Sequence, residues 1–403
     1  MTTELITGIA ELTTQQHEPG AGGPNRLRDA ALLIGDDGRI AWIGPAHRAP
    51  AADTRTDVAG RAVLPGWVDS HTHLIFAGDR SAEFESRLAG RPYAAGGIQT
   101  TVTATRAATA EQLEAGGRRL RAEAEVQGTT FVETKTGYGL DVATELRSAR
   151  AAAGVADLVS YLGAHVVPVG VDRRDYLDLV TGPMLDAVRP FVQFVDVFCE
   201  TGAFDVDESR EVLAAGRAAG LGLRVHGNQL GESGGVALAV DLGASSVDHC
   251  NHLSAADVDA LAASSTVATL LPACDLSTRQ PFAPARRLLD AGAAIALATN
   301  CNPGSSYTTS MPFCIATAVL QMGLTVEEAV WAATRGAALA LRGGARTGDR
   351  PDPVADGVGQ VVVGGRADLQ VLDAPSVAHL AYRPGVPLVS AVWRHGVRRR
   401  LSS

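Results

Sequence analysis

No stretch of this 403-residue chain reaches the roughly 18 uninterrupted apolar residues of a membrane-spanning helix. The opening MTTELITGIAEL has no basic region followed by a long apolar core, so no signal peptide is expected. Positive charge is also in short supply. Thirty-five Lys and Arg stand against 44 Asp and Glu, a net charge of −9, which argues against nucleic acid or an anionic membrane as the main partner. Cysteine is scarce: five residues, an odd number without framework spacing, suggest reduced thiols in a cytoplasmic enzyme rather than disulfides. A G-x-G-x-x-G motif opening a helix is missing, which weakens a nucleotide-binding reading. GVGQVVVGGRAD is glycine-rich, but no helical pattern follows it.

With 46% hydrophobic and 20% charged residues, the chain can bury one large core, and its length leaves room for a smaller second unit. The first 60 residues read as β-structure. ALLIGDDGRIAWIG, residues 31–44, is two apolar runs joined by Asp-Asp-Gly, a hairpin signal. The last 45 look alike, with ADLQVLDA and VSAVWRHGVRR as strand-like segments. The two ends are expected to form one small β domain from residues 1–62 and 346–403. Between them, over 63–345, eight apolar runs alternate with Ala-rich amphipathic segments: AVLPGWVDSHTH, GTTFVETKTGYG, LVSYLGAH, FVDVFCE, LGLRVHGNQ, SSVDHC, TVATLLPA and AIALATN. Helices are expected over 110–125, 142–153, 208–219, 234–242, 255–263 and 283–291. Eight strands alternating with helices is the arithmetic of a (β/α)8 barrel, although a doubly wound sheet shares the alternation. LRGGARTGDRPDPVADG has the composition of a surface loop between barrel and β domain.

The distribution of histidine is the strongest pattern in the chain. Of ten, five finish apolar runs: His71, His73, His165, His226 and His249. One such residue would read as a core histidine hydrogen-bonded to its surroundings; five at successive strand ends point to a shared site. Alternation along a strand puts His71 and His73 on the same side, where both imidazoles can reach one ion. His252 falls on a following turn or helix, and His17, His47, His379 and His395 lie outside the barrel segment. Neutral imidazoles with an open position suit Zn²⁺ or iron, and such an ion lowers the pKa of bound water toward about 7. Hydrolysis also needs a group that passes the proton to the leaving nitrogen, usually a carboxylate beside the ion.

Other polar residues suit a small anionic substrate. Arg80 follows the H-x-H loop and offers a planar fork to a carboxylate, or else pairs with Glu83 or Glu85. Tyr93 and Tyr138 could add hydroxyl donors. Lys135 either pairs with Glu133 or, carbamylated, bridges two metals; the pair is the expectation.

With these residues in view, the chain resembles the imidazolonepropionases, amidohydrolase-superfamily enzymes of histidine degradation. The resemblance rests on LPGWVDSHTHLIFAGDRSAEF, ETKTGYGLD, YLGAHVVP, VDVFCETGAF, VHGNQLGESGG, SVDHCNHL, VATLLPACDL and NPGSSYTTSMPFC, in that order from about residue 60 to 315. It implies a distorted (β/α)8 barrel with a β-sandwich built from both termini. It also implies one Zn²⁺ or iron ion per chain, held by His71, His73 and His226 with position 300 as a further ligand. His249 would polarise the substrate carbonyl beside Gln229. Arg80, Tyr93, Tyr138, His165, Asn302, Gly304 and Ser305 would hold the substrate, its propionate facing Arg80. The family reaction is hydrolysis of the ring amide of 4-imidazolone-5-propanoate to N-formimidoyl-L-glutamate. A small molecule is thus the expected partner, without nucleic acid or membrane, and a homodimer is expected by analogy with the fold.

One departure from the family pattern stands out. Where enzymes resembling this one carry Thr-Asp, this chain has Thr299-Asn300. An amide oxygen can still face a metal, but it cannot accept a proton at neutral pH. Slow hydrolysis is therefore expected, with non-hydrolytic binding of the same ligand, or a related cyclic amidase or deaminase, as alternatives.

Overall fold

The computed structural model describes residues 2–17, 25–89, 97–345 and 350–400. Among the described residues, fifteen strands fall into two sheets. One is a seven-stranded mixed sheet made by the two ends of the chain, in the order β15-β14-β13-β4-β1-β2-β3. Its strands are β1 (Glu4–Thr13), β2 (Arg26–Ile34), β3 (Ile40–Pro45), β4 (Thr54–Pro65), β13 (Leu369–Leu372), β14 (Val389–Arg394) and β15 (Val397–Arg399). The Asp36-Asp37-Gly38 turn joins β2 to β3 as the sequence suggests, with Gly38 at φ +76°. The sheet folds back on itself: Ile40 N–H donates to the Gly365 carbonyl and Ala367 N–H to that of Gly38. Ile6, Ile9, Leu12, Leu32, Val63, Leu369 and Trp393 fill the space so enclosed.

The other sheet holds eight parallel strands in sequential order. These are β5 (Trp67–Asp69), β6 (Thr129–Lys135), β7 (Leu158–Ala164), β8 (Phe194–Cys199), β9 (Gly222–Gly227), β10 (Ser246–His249), β11 (Val267–Leu270) and β12 (Ile295–Leu297). All eight anticipated apolar runs supply a strand. The ends of the sheet meet just beyond β5 and β12, where Thr72 bridges Cys301 and His73 N–H donates to the Cys301 carbonyl at 2.9 Å. That contact closes a (β/α)8 barrel. Every residue of β6 and β7 is buried, as strands covered on both faces require.

The helices start where side chains can satisfy their free N–H groups. Thr109 with Gln112, Asp205 with Glu208 and Ser254 with Asp257 form reciprocal capping pairs. The expected helices form within a few residues of their anticipated ends, for example Ala110–Val126 and Val142–Val155. Helices Ile98–Ala107, Arg173–Thr181 and Met311–Gln321 were not anticipated. Met311–Gln321 is apolar over most of its length, and six of its side chains are buried between neighbouring elements, which hides any amphipathic period. Among the described residues, no helix is long and apolar enough to cross a membrane.

Candidate active site and metal centre

The five strand-end histidines are delivered to one place by the barrel's C-terminal mouth. His71 and His73 follow β5, His165 follows β7, His226 lies in β9 and His249 ends β10. Their rings stand close together: the His71 centroid is 4.5 Å from that of His226, 5.2 Å from His73 and 5.7 Å from His249. His71, His226 and His249 each place a ring nitrogen within 4.8 Å of the others. The Nε2 atoms of His71 and His73 are 3.3 Å apart.

Two buried carboxylates set the tautomers. His71 Nδ1 donates to Asp248 Oδ2 at 2.7 Å, and His226 Nδ1 donates to Asp196 Oδ1 at 3.0 Å. Each ring is thereby left with an Nε2 lone pair aimed at the cluster. The carboxylates are themselves matched by buried cations. Arg224, fully buried, donates to Asp248 Oδ2 at 2.9 Å and to the Ser70 carbonyl. Lys135 Nζ lies 2.8 Å from Asp196, 3.0 Å from Glu133 and 3.8 Å from Asp248. Lys135 is thus the paired lysine anticipated from the sequence, with Asp196 as an additional partner.

These surroundings hold His71, His73, His165 and His249 neutral. Burial, then the Lys135 charge, pushes His71 well below its ordinary pKa, and burial with the His71 and His226 neighbours does the same for His73. Burial and the His226 neighbour bring His249 down to about 3, and burial brings His165 down to about 4. Burial opposes ionisation of Asp248, but Arg224 and His71 outweigh it and keep the carboxyl well below the usual range.

Several buried polar atoms at the cluster are left without protein partners: His73 Nδ1, His249 Nδ1 and Asn300 Oδ1. Polar atoms buried in that state are costly, and neutral nitrogen donors with an amide oxygen suit a borderline divalent ion. The residues therefore fit a bound metal. Asn300 sits just past β12, its N–H donating to the His71 carbonyl at 3.0 Å and its φ at +51°, in the left-handed region that Asn tolerates. His249 has φ +86°, a backbone strain that aims a side chain at the strand end.

A cleft above the cluster is lined by His73, Arg80, Tyr138, His165, Gln229, His249, Asn300, Asn302 and Ser305. Arg80 is 7% exposed, and the expected pairing with Glu83 forms. Its Nε and one Nη grip Glu83 at 2.8 and 2.6 Å, while the guanidinium still lines the cleft. Gly304 packs against that guanidinium so closely that a Cβ there would lie 2.2 Å from Nη1. Asn302 uses its amide on its own loop, accepting from Gly304 N–H and Ser305 N–H at 2.9 and 2.8 Å and donating to the Asn300 carbonyl at 2.7 Å. It shapes the cleft as much as it lines it. His165 Nδ1 donates to the Gly137 carbonyl at 2.9 Å, which leaves Nε2 as the acceptor. Tyr93 lies outside the described residues.

Asp196, Asp248 and Arg224 did not emerge from the sequence as site residues. Their signal was present: a charged residue inside a strand that is otherwise apolar must find a buried partner, as in FVDVFC, SVDH and GLRVHG. Glu200 belongs with them, its carboxylate accepting from Gln229 N–H at 2.5 Å and Leu230 N–H at 3.2 Å and so fixing the loop that carries Gln229.

Comparison with known proteins follows the same line. The chain is 65% identical over 398 residues to the imidazolonepropionase of Saccharopolyspora erythraea, covering 99% of each chain. It is 62% identical over 409 residues to that of Arthrobacter sp. strain FB24, covering 98% of this chain and 99% of that one. The fold is shared with a zinc-bound adenosine deaminase from Xanthomonas campestris, at 19% identity, TM-score 0.71, covering 98% of this chain and 92% of that one. A triazine hydrolase variant matches at 17% identity and TM-score 0.74, covering 99% of this chain and 94% of that one. No family model matches the chain.

Proposed function

The chain belongs to the imidazolonepropionase family, and from that premise we propose that its barrel mouth hydrolyses the ring amide of 4-imidazolone-5-propanoate to N-formimidoyl-L-glutamate. The observation that carries the reading is the convergence of five imidazoles and the Asn300 amide beneath a cleft bordered by one arginine. His71, His73 and His226 would hold a single ion, zinc or iron, with Asn300 Oδ1 facing it. His71 and His73 are preferred as a pair because they rise from one strand end with their Nε2 atoms 3.3 Å apart. Bound there, the ion supplies Lewis acidity toward the carbonyl and lowers the pKa of water.

The chain's own residues do the rest. Arg80, whose guanidinium lines the cleft, binds the propionate, with Tyr138, His165 and Gln229 positioning the ring. His249 carries one N–H and one lone pair in its neutral form, so it can donate to the carbonyl oxygen as negative charge develops there. Water adds to the ring carbonyl carbon, the C–N bond breaks, and a proton must reach the departing amidine nitrogen. Asn300 has no basic atom for that transfer. The proton is left to His249 or to solvent, and turnover is slow.

The unpartnered Asn300 amide supports a second reading, in which the protein keeps the ligand without opening it. One experiment separates the two. The metal-loaded protein is incubated with the imidazolone, and loss of its ultraviolet absorbance is followed alongside appearance of the formimidoyl product. Slow but catalytic conversion supports hydrolysis. Stoichiometric binding without product supports the second reading, and neither binding nor turnover overturns both.

A further inference from the structure

A large cavity lies at the other end of the barrel. It encloses about 1140 Å³ between the N-terminal ends of β6 and β7 and the face of the terminal sheet. Eight arginines line it against five carboxylates, a local excess of positive charge in a chain of net charge −9. Its inner wall is drawn from both units. Arg121 comes from the helix Ala110–Val126, Arg394 from β14, Arg366 from the segment leading into β13, and Arg350 from the segment that follows the barrel.

At the rim the arginines are paired, Arg39 with Asp356, Arg118 with Glu114 and Arg399 with Glu125, whereas the inner wall keeps guanidinium nitrogens without partners. Asp157, 7% exposed, is shared by two guanidiniums: Arg121 Nη2 at 3.2 Å and Arg394 Nη2 at 2.7 Å. Arg350 donates to the carbonyls of Ala153, Ala156 and Asp157, which carry no net charge. Arg366 Nη2 pairs with the buried Asp368 Oδ2 at 2.7 Å and also meets His395 Nε2 at 2.9 Å. The Nε atoms of Arg121, Arg366 and Arg394 are buried without a hydrogen-bond partner. Arg121 and Arg366 are only 6% and 5% exposed, so this is a built wall and not a spray of surface side chains. Planar forks grouped in this way recognise pairs of oxygens on a multiply charged anion.

We propose that this cavity is a binding site for a multiply charged small oxyanion, phosphoryl or polycarboxylate, which bridges the barrel and the terminal sheet from the end opposite the active site. The inference does not depend on the reaction at the barrel mouth. An anion bound there would raise the unfolding temperature of the whole chain, because it engages both units only in the folded state.

The test is thermal unfolding of the metal-loaded full chain at constant ionic strength, with NaCl replaced stepwise by inorganic phosphate or by propane-1,2,3-tricarboxylate. Metal content is measured after each series. A saturable rise of about 3 °C at a hundred times the half-saturating concentration is expected for at least one anion. The anion with the lower half-saturation identifies the phosphoryl or the carboxylate class. Arg350→Gln is expected to raise that half-saturation about tenfold or more. Because Arg350 also caps a helix, Arg399→Gln is run beside it, while Arg210→Gln on the outer surface should change nothing. No saturable rise beyond the NaCl control overturns the proposal, as does a rise that both cavity variants retain in full.

Discussion

Replacing Asn300 by aspartate is the most direct test of how this site works. The exchange is nearly isosteric, and both residues tolerate the left-handed conformation that position 300 adopts, at φ +51°. Its N–H bond to the His71 carbonyl at 3.0 Å is a main-chain bond and survives the substitution. What changes is the atom now without a partner, Asn300 Oδ1, which is joined by a second oxygen able to accept a proton. A positioned general base typically contributes about 10²–10⁴-fold. At about 1.4 kcal/mol per decade this is roughly 3–5.5 kcal/mol of barrier, so kcat of Asn300→Asp should exceed that of the parent by that factor. The added charge should also tighten metal binding, since a carboxylate replaces a neutral amide beside the ion. Initial rates are followed as loss of imidazolone absorbance, with metal content measured on the same samples. Because tighter metal binding could mimic a catalytic gain, rates are compared per bound ion at saturating metal. If Asn300→Asp is then less than threefold faster, position 300 is not the missing proton acceptor and the argument from its amide fails.

Three further outcomes follow from the packing and charges. Gly304→Ala places a Cβ 2.2 Å from Arg80 Nη1 and should displace the guanidinium; kcat/KM should fall roughly 10–100-fold through KM, with little change in unfolding temperature. Burial works against ionisation of Asp157, but Arg121 and Arg394 prevail and bring it down to about 2 from 3.8. Its folded pKa is depressed, so its stabilisation of about 2 kcal/mol is present above about pH 4 and lost as pH falls through 2; Asp157→Asn should abolish that acid-side slope in denaturant titrations. Burial raises Asp275 to about 7 from 3.8, against the bond from Ala283 N–H. Its ionisation is penalised in the fold, so the cost is absent below about pH 4 and complete above 7. Asp275→Asn should therefore gain stability relative to the parent as pH rises across that window, by up to about 4 kcal/mol, and equal gains at pH 4 and pH 8 would refute the assignment.

Much of this molecule was legible before any coordinates. The eight barrel strands announce themselves because a strand buried on both faces must be apolar throughout, and a histidine that ends such a run breaks the pattern visibly. Arg80 could be read in two ways, as a substrate clamp or as the partner of Glu83, because one guanidinium has enough donors for both. Met311–Gln321 was missed for the opposite reason: an apolar helix packed on several sides carries no periodic signal. The arginine-lined cavity was illegible because its wall is assembled from residues as far apart as 121 and 394. Each of those arginines, read alone, is an ordinary surface residue.

The carboxylates behind the histidines explain why the site can be assembled without a carboxylate in front of them. Asp248 orients His71 and is matched by Arg224, and Asp196 orients His226 and is matched by Lys135. Glu133, Asp196 and Asp248 share the two buried cations Lys135 and Arg224, which offset most of their negative charge behind the metal position. The proposed ligand set of His71, His73, His226 and Asn300 brings no carboxylate of its own, so a divalent ion bound there would keep most of its charge. That arrangement strengthens polarisation of the substrate carbonyl and weakens retention of the ion. A carboxylate at 300 would reverse both, besides accepting the proton. Binding affinity for the ion and rate per bound ion are therefore the two quantities that distinguish an electrostatic role for residue 300 from a proton-transfer role. A proton-transfer role predicts that both rise together in Asn300→Asp, whereas charge alone predicts tighter metal and no faster turnover.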